Sequence, residues 1–101
     1  MSTSGAMFGE PMVTFLLPAV LRPHAGGAGS VAVAGTTVGE AFATLFAAHP
    51  DLRSRVLDGA GRTQRHLLVF LEDRPLPRGG WATIPLSPGD TLRFLVAVGG
   101  G

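Results

Sequence analysis

Short apolar runs alternate along this chain with glycine- and proline-rich breaks, and one stretch carries helical periodicity. Val13-Thr14-Phe15-Leu16-Leu17 is rich in β-formers and stopped by Pro18, which predicts a first strand. The glycine-rich Leu21 to Gly29 reads as a connection to a second strand over Ser30 to Ala34, so the pair predicts a hairpin with a long loop. Val38, Ala41, Phe42, Leu45 and Phe46 then fall on one helical face. Thr37 and Glu40 have the spacing of a capping box at its start, and His49-Pro50 closes it, because proline disfavours helix in the residue before it. Leu52 to Leu57 suits a further helical turn. Leu67 to Leu71 is apolar throughout and predicts a strand that is central or covered on both faces. Trp81 to Leu86 reads as a minor edge strand, with Pro85 where no ladder donor is needed. The last strand alternates, with Leu92, Phe94, Val96 and Val98 on one face and Arg93, Leu95 and Ala97 on the other.

The order β-β-α-β-β-β, with one amphipathic helix against one sheet, predicts a two-layer α+β domain. Side-by-side pairing of the first and last strands would place the end of the chain after a central strand. The expected division is a flexible leader over 1–12, a domain over 13–98 and a flexible glycine tail over 99–101.

Composition narrows the chemistry. At 101 residues, 46% of them apolar and 15% charged, the chain is expected to fold as one globular domain. It has no cysteine, which excludes disulfides and thiolate metal sites, and its eight basic residues are all arginine. No side-chain amine is therefore present for an isopeptide bond or a Schiff base. A net charge of +1 argues against a nucleic-acid binder. The first eleven residues lack the basic and apolar regions of a signal peptide, and no apolar run is long enough for a membrane span; both point to the cytoplasm.

The three histidines, His24, His49 and His66, are scattered without a metal-ligand spacing, and no phosphate-cradling loop or nucleophile elbow occurs. Arg62, Arg65, Arg74, Arg78 and Arg93 gather in the second half of the chain. They read as a solvated face or as a docking surface for an acidic partner, with Leu95 and Ala97 adding apolar contact; Arg74 and Arg93 are the candidate cations. What remains is the terminal run Val98-Gly99-Gly100-Gly101. Glycine has no Cβ, so such a tail enters a channel too narrow for other residues. Four extended residues reach roughly 13 Å. A terminal carboxylate titrates at about 3.5 and is an anion at neutral pH, so acyl chemistry there requires activation, with ATP-derived adenylate as the usual leaving group.

With this element order, Pro88-Gly89-Asp90 before the last strand and Ala97-Val98-Gly99-Gly100-Gly101 at the end, the chain resembles the ThiS/MoaD-type sulfur carriers, ubiquitin-like β-grasp proteins ending in Gly-Gly. Leu21-Arg22-Pro23-His24 with Gly26-Gly27, and later Gly79-Gly80, Ala82-Thr83 and Gly89-Asp90, resemble the carriers of an actinobacterial cysteine-biosynthesis route. The resemblance covers Val13 to Gly101. It implies a mixed sheet of four to five strands under one main helix, and a protein co-substrate that is not itself an enzyme. It implies that Gly101 is adenylated by an E1-like enzyme and converted to a thiocarboxylate, with Gly100 completing the diglycine and Gly99 standing where relatives have Ala or Ser. ATP would be used by the activating partner, and the carrier itself would bind no cofactor or metal. A sulfur-accepting enzyme, such as a pyridoxal-phosphate cysteine synthase, is the second implied partner; relatives feed molybdopterin, thiamin thiazole or natural products instead. Leu95-Val96 departs from the proline of many relatives. Rival readings are a modifier joined through Gly101 to lysines of other proteins, and a non-catalytic β-grasp module such as a small subunit of molybdopterin synthase.

Overall fold

The computed structural model of the protein describes residues 12–97. The expected leader, apart from Met12, together with Val98 and the expected tail over 99–101, lies outside the described residues. In chain order the elements are strand β1 (Met12–Leu16), a 3₁₀ turn (Arg22–Ala25), β2 (Ser30–Ala34), helix α1 (Val38–Ala48), helix α2 (Asp51–Val56), β3 (Leu67–Leu71), the two-residue β4 (Arg74–Pro75) and β5 (Thr91–Val96). They form one five-stranded sheet in the order β2-β1-β5-β3-β4. β1 and β5, the first and last strands, lie side by side and parallel, with Thr14 opposite Thr91 and Leu16 opposite Arg93. The other neighbours are antiparallel.

α1 forms where the apolar face and the cap agree. Glu40 N–H donates to Thr37 Oγ1 at 3.2 Å, as the spacing predicts. The Glu40 carboxylate reaches one residue further back than expected, accepting from Thr36 N–H at 2.8 Å and from its hydroxyl at 2.6 Å. Those two bonds, the hydroxyl first, hold the Glu40 carboxyl below the ordinary glutamate range. Val38, Ala41, Phe42 and Leu45 are buried against the sheet. There Phe42 lies 5.6 Å from Phe15 and 4.5 Å from Trp81 between ring centroids, and Phe15 stacks on Phe94 at 5.4 Å. Gly35 permits the close approach of strand and helix, since a Cβ there would stand 2.8 Å from the Ala41 backbone nitrogen.

Three sequence expectations change. The first connection is no plain loop: Pro23 starts a 3₁₀ turn, and Gly26 ends it in the left-handed region at φ 67°. Residues 81–86 form no strand. They run along the start of α1, where Val38 N–H donates to Ile84 C=O and Leu86 N–H to Thr36 C=O, and the edge of the sheet is Arg74–Pro75 instead. Trp81 is drawn inward, its indole N–H donating to Arg78 C=O at 3.0 Å. Finally, β3 is central, lying between β5 and β4 as the first alternative had it, but it is not covered on both faces. Leu67, Val69 and Leu71 are buried on the helix side of the sheet, but Leu68 is 46% exposed on the other side. No element among the described residues lies over the second face, so an apolar run here marks an open surface.

Candidate functional site

The site to be tested is the exit of β5, because that strand leads into the terminal glycines. β5 is held on both sides, by β1 in parallel and by β3 from Leu67↔Val96 to Leu71↔Leu92. Its last described tie comes just beyond the strand, where Ala97 N–H donates to His66 C=O at 2.7 Å. A tail rooted in a doubly paired strand starts from a fixed point. Glu72 secures the far end of the strand: its N–H donates to Thr91 C=O and its carboxylate accepts from Thr91 N–H. These bonds hold Glu72 at φ 55°, which a non-glycine residue rarely adopts.

Strand alternation sends Arg93 and Leu95 onto the uncovered face, where the ladder sets Leu95 beside Leu68 and Arg93 between Leu16 and Phe70. Leu16, Leu68 and Leu95 are exposed and make an apolar patch leading toward the tail. The Arg93 guanidinium carbon lies 5.8 Å from the centre of the Phe70 ring, a cation–π contact. Its Nε is buried and has no hydrogen-bond partner. An unpaired buried donor costs about 1–3 kcal/mol, so Arg93 is not placed for stability alone. Beside it a hollow of about 230 Å³ is lined by Leu16, Pro18, Arg22, Leu95 and Arg93 among others. Arg22 Nε is anchored on Leu17 C=O at 3.1 Å.

The five arginines of the second half do not converge. Arg93, Leu95 and Ala97 sit together at the tail's root, whereas Arg74 follows Leu71, which pairs with Leu92 at the opposite end of the sheet. Arg78 is structural. It meets Asp58 at 3.2 Å and donates from Nε to Thr63 C=O at 2.9 Å, closing the 58–65 loop onto the segment before Trp81. The Asp58 carboxyl is held below its ordinary value, first by the Arg62 backbone N–H. Arg22, which the sequence marks only as part of the Leu21–His24 motif, is not expected at the docking surface; it comes to the patch because the 3₁₀ turn folds back over the end of β1. Two histidines expected to be scattered, His24 and His66, line a second hollow of about 310 Å³ with Arg55. No group of three or more potential metal ligands occurs among the described residues, and no helix among them is long and apolar enough to cross a membrane.

A ubiquitin-like β-grasp sheet whose central strand leads in sequence to a diglycine defines the class, and comparison with known proteins agrees with it. The chain belongs to the ThiS family, whose model matches residues 15–101. It is 32% identical over 91 residues to the sulfur carrier protein CysO of Mycobacterium tuberculosis, spanning 88% of this chain and 98% of that protein. The crystal structure of that CysO superposes with a TM-score of 0.77 at 31% identity, covering 85% of this chain and 99% of the other. CysO in the Amycolatopsis orientalis BexX/CysO complex is also similar, with 32% identity, a TM-score of 0.77 and coverage of 88% and 99%. SAMP1 of Haloferax volcanii follows at 31% identity, a TM-score of 0.73 and coverage of 89% and 99%.

Proposed function

We propose that this protein is a sulfur carrier and a protein co-substrate, with Gly101 as its reactive residue. The observation that carries the reading is the central, doubly paired β5 running into Gly99-Gly100-Gly101. Its likeness to CysO over nearly the whole chain supports it. In the proposed cycle a Gly101 carboxylate oxygen attacks the α-phosphorus of ATP on an E1-like enzyme, and pyrophosphate leaves. A sulfur nucleophile then attacks the acyl carbon and AMP leaves with the C–O electron pair. When sulfide is that nucleophile the product is a thiocarboxylate, which passes its sulfur to an accepting enzyme. A pyridoxal-phosphate cysteine synthase is the acceptor that the CysO likeness favours. The chain supplies no acid, base or metal to these steps. It supplies a carboxylate on a glycine arm slim enough for a narrow channel, and a surface, Arg93, Leu95 and Ala97, on which the activating enzyme rests. Arg74, at the far end of the sheet, is left for a partner broad enough to span it. The cytoplasm, where ATP is available, is the proposed location.

The test is the intact mass after incubation with an E1-like enzyme, ATP and a sulfide source. The expected shift replaces one oxygen by sulfur at Gly101, and deletion of Gly101 abolishes it while leaving the fold intact. Full activity in the deletion sinks the reading.

A second reading draws on SAMP1, which is called a small archaeal modifier protein. Activation would be the same, but the acyl group would pass to a lysine of another protein. Thiol-resistant isopeptide adducts in place of a thiocarboxylate would decide for it.

A further inference from the structure

Resting on the reading of the tail above, we propose that Arg22 and Arg93 form a clip for a carboxylate side chain of the E1-like activating enzyme. Adenylation opens both the carrier and the modifier reading, so that enzyme is the partner common to both.

The hollow between the two arginines has apolar walls, Leu16, Pro18 and Leu95, and no acidic residue lines it. The Arg93 side chain makes no hydrogen bond or ion pair to another described residue, and its Nε is buried without an acceptor. Arg22 spends its Nε on Leu17 C=O, which fixes the guanidinium at the rim. Two fixed cations in an apolar frame suit a planar acceptor of two hydrogen bonds, and a carboxylate meets a guanidinium in that way. The surrounding leucines exclude water once covered, which strengthens the pair. A phosphate would match the cations but leave Leu16, Leu68 and Leu95 facing solvent.

A second copy of this chain is poorly equipped to supply the acid. Of the six described carboxylates, Glu40, Asp58, Glu72 and Asp90 already accept hydrogen bonds within their own chain. The position suits the activating enzyme, since Arg93 and Leu95 lie on the strand whose next residues are the tail it must grip.

The experiment measures KM and kcat for adenylation of the full chain, as pyrophosphate exchange, with an E1-like enzyme that charges the wild type. Arg93→Met is expected to raise KM by roughly 30-fold with kcat unchanged, the lower end for truncating one member of a buried charge pair. Arg93→Lys should behave like Arg93→Met, because lysine keeps the charge but loses the Nε–H and the planar fork. Arg22→Gln, at the more exposed rim, should cost about two- to fivefold. Arg53→Gln on α2 serves as a control with no change. Wild-type KM in Arg93→Met overturns the clip, and so does wild-type KM in Arg93→Lys, which would reduce it to charge steering. Should Arg93→Met fail to fold, the Nε–Hε resonance of wild-type Arg93 decides: a shift on adding the enzyme supports the clip, and an unmoved signal overturns it. Sedimentation as a dimer that Arg93→Met dissolves, with KM unchanged, assigns the hollow to a second copy and overturns the proposal. If the enzyme charges another carrier but never this one, the reading of the tail fails and takes the clip with it.

Discussion

Under α1, the side chains of Phe15, Leu92 and Phe94 are closed off almost completely, while one residue further along the same strands Leu16, Arg93 and Leu95 face outward. The backbone ladders serving the two faces are identical. The covered face meets a helix whose apolar residues match it, with aromatic rings in contact from Phe15 through Phe42 to Trp81. The open face has leucines without a cover and an arginine with an unmet donor. Stability lives on the first face. The second retains apolar area and an arginine with no ion pair among the described residues, and a partner can use both.

The sharpest way to break this contrast is a truncation on each side. Phe94→Ala should destabilise by about 3–5 kcal/mol, the usual cost of emptying a buried aromatic site, measured by chemical denaturation. Leu68→Ala, one strand position from Val69, the ladder partner of Phe94, should cost well under 1 kcal/mol, as exposed substitutions do, yet weaken adenylation through KM. Equal losses of stability in the two variants would erase the distinction. Gly35→Ala, which drives a methyl into the Ala41 backbone, should cost about 1–3 kcal/mol, the range for overpacking. Thr37→Ala removes the α1 cap and should cost about 1 kcal/mol. The smallest effect is on pH dependence. The folded Glu40 pKa lies below its ordinary 4.5, so its contribution is fully present above 4.5 and is lost as the pH falls through the lowered value. Thr36→Ala, which removes the hydroxyl donor, should flatten that part of the acid-denaturation curve.

Much of this was legible in the sequence. Periodicity predicted α1, its Thr37 cap and the two sides of β5, because local preference and tertiary demand coincide there. For Leu67–Leu71 it left two alternatives, of which the central strand holds and the double cover does not, because an unbroken apolar run has the same pattern whether its second face meets a helix of its own chain or is left open. It misassigned residues 81–86, since hydrogen bonds to the start of α1 satisfy their backbone without a strand. Arg22 was legible as part of the Leu21–His24 motif but not as a docking residue, for a similar reason. Its place beside Arg93 comes from a chain reversal at Pro23 and Gly26, and no spacing in sequence encodes a neighbour so far away.

The parallel pairing of β1 with β5 also governs how the molecule comes into being. Thr14 and Thr91 are partners across 91 − 14 = 77 positions. The strand that joins the β1–β2 hairpin to the β3–β4 hairpin is thus made only after both of them. Closing so long a loop is entropically costly and slows folding. Until β5 arrives, both hairpins present an open edge where it will dock, a state that invites mispairing. The domain therefore cannot mature from its first residues onward during translation. Maturation waits for the strand that bears the tail, so a nascent chain lacking its last segment has no finished sheet on which an activating enzyme could dock.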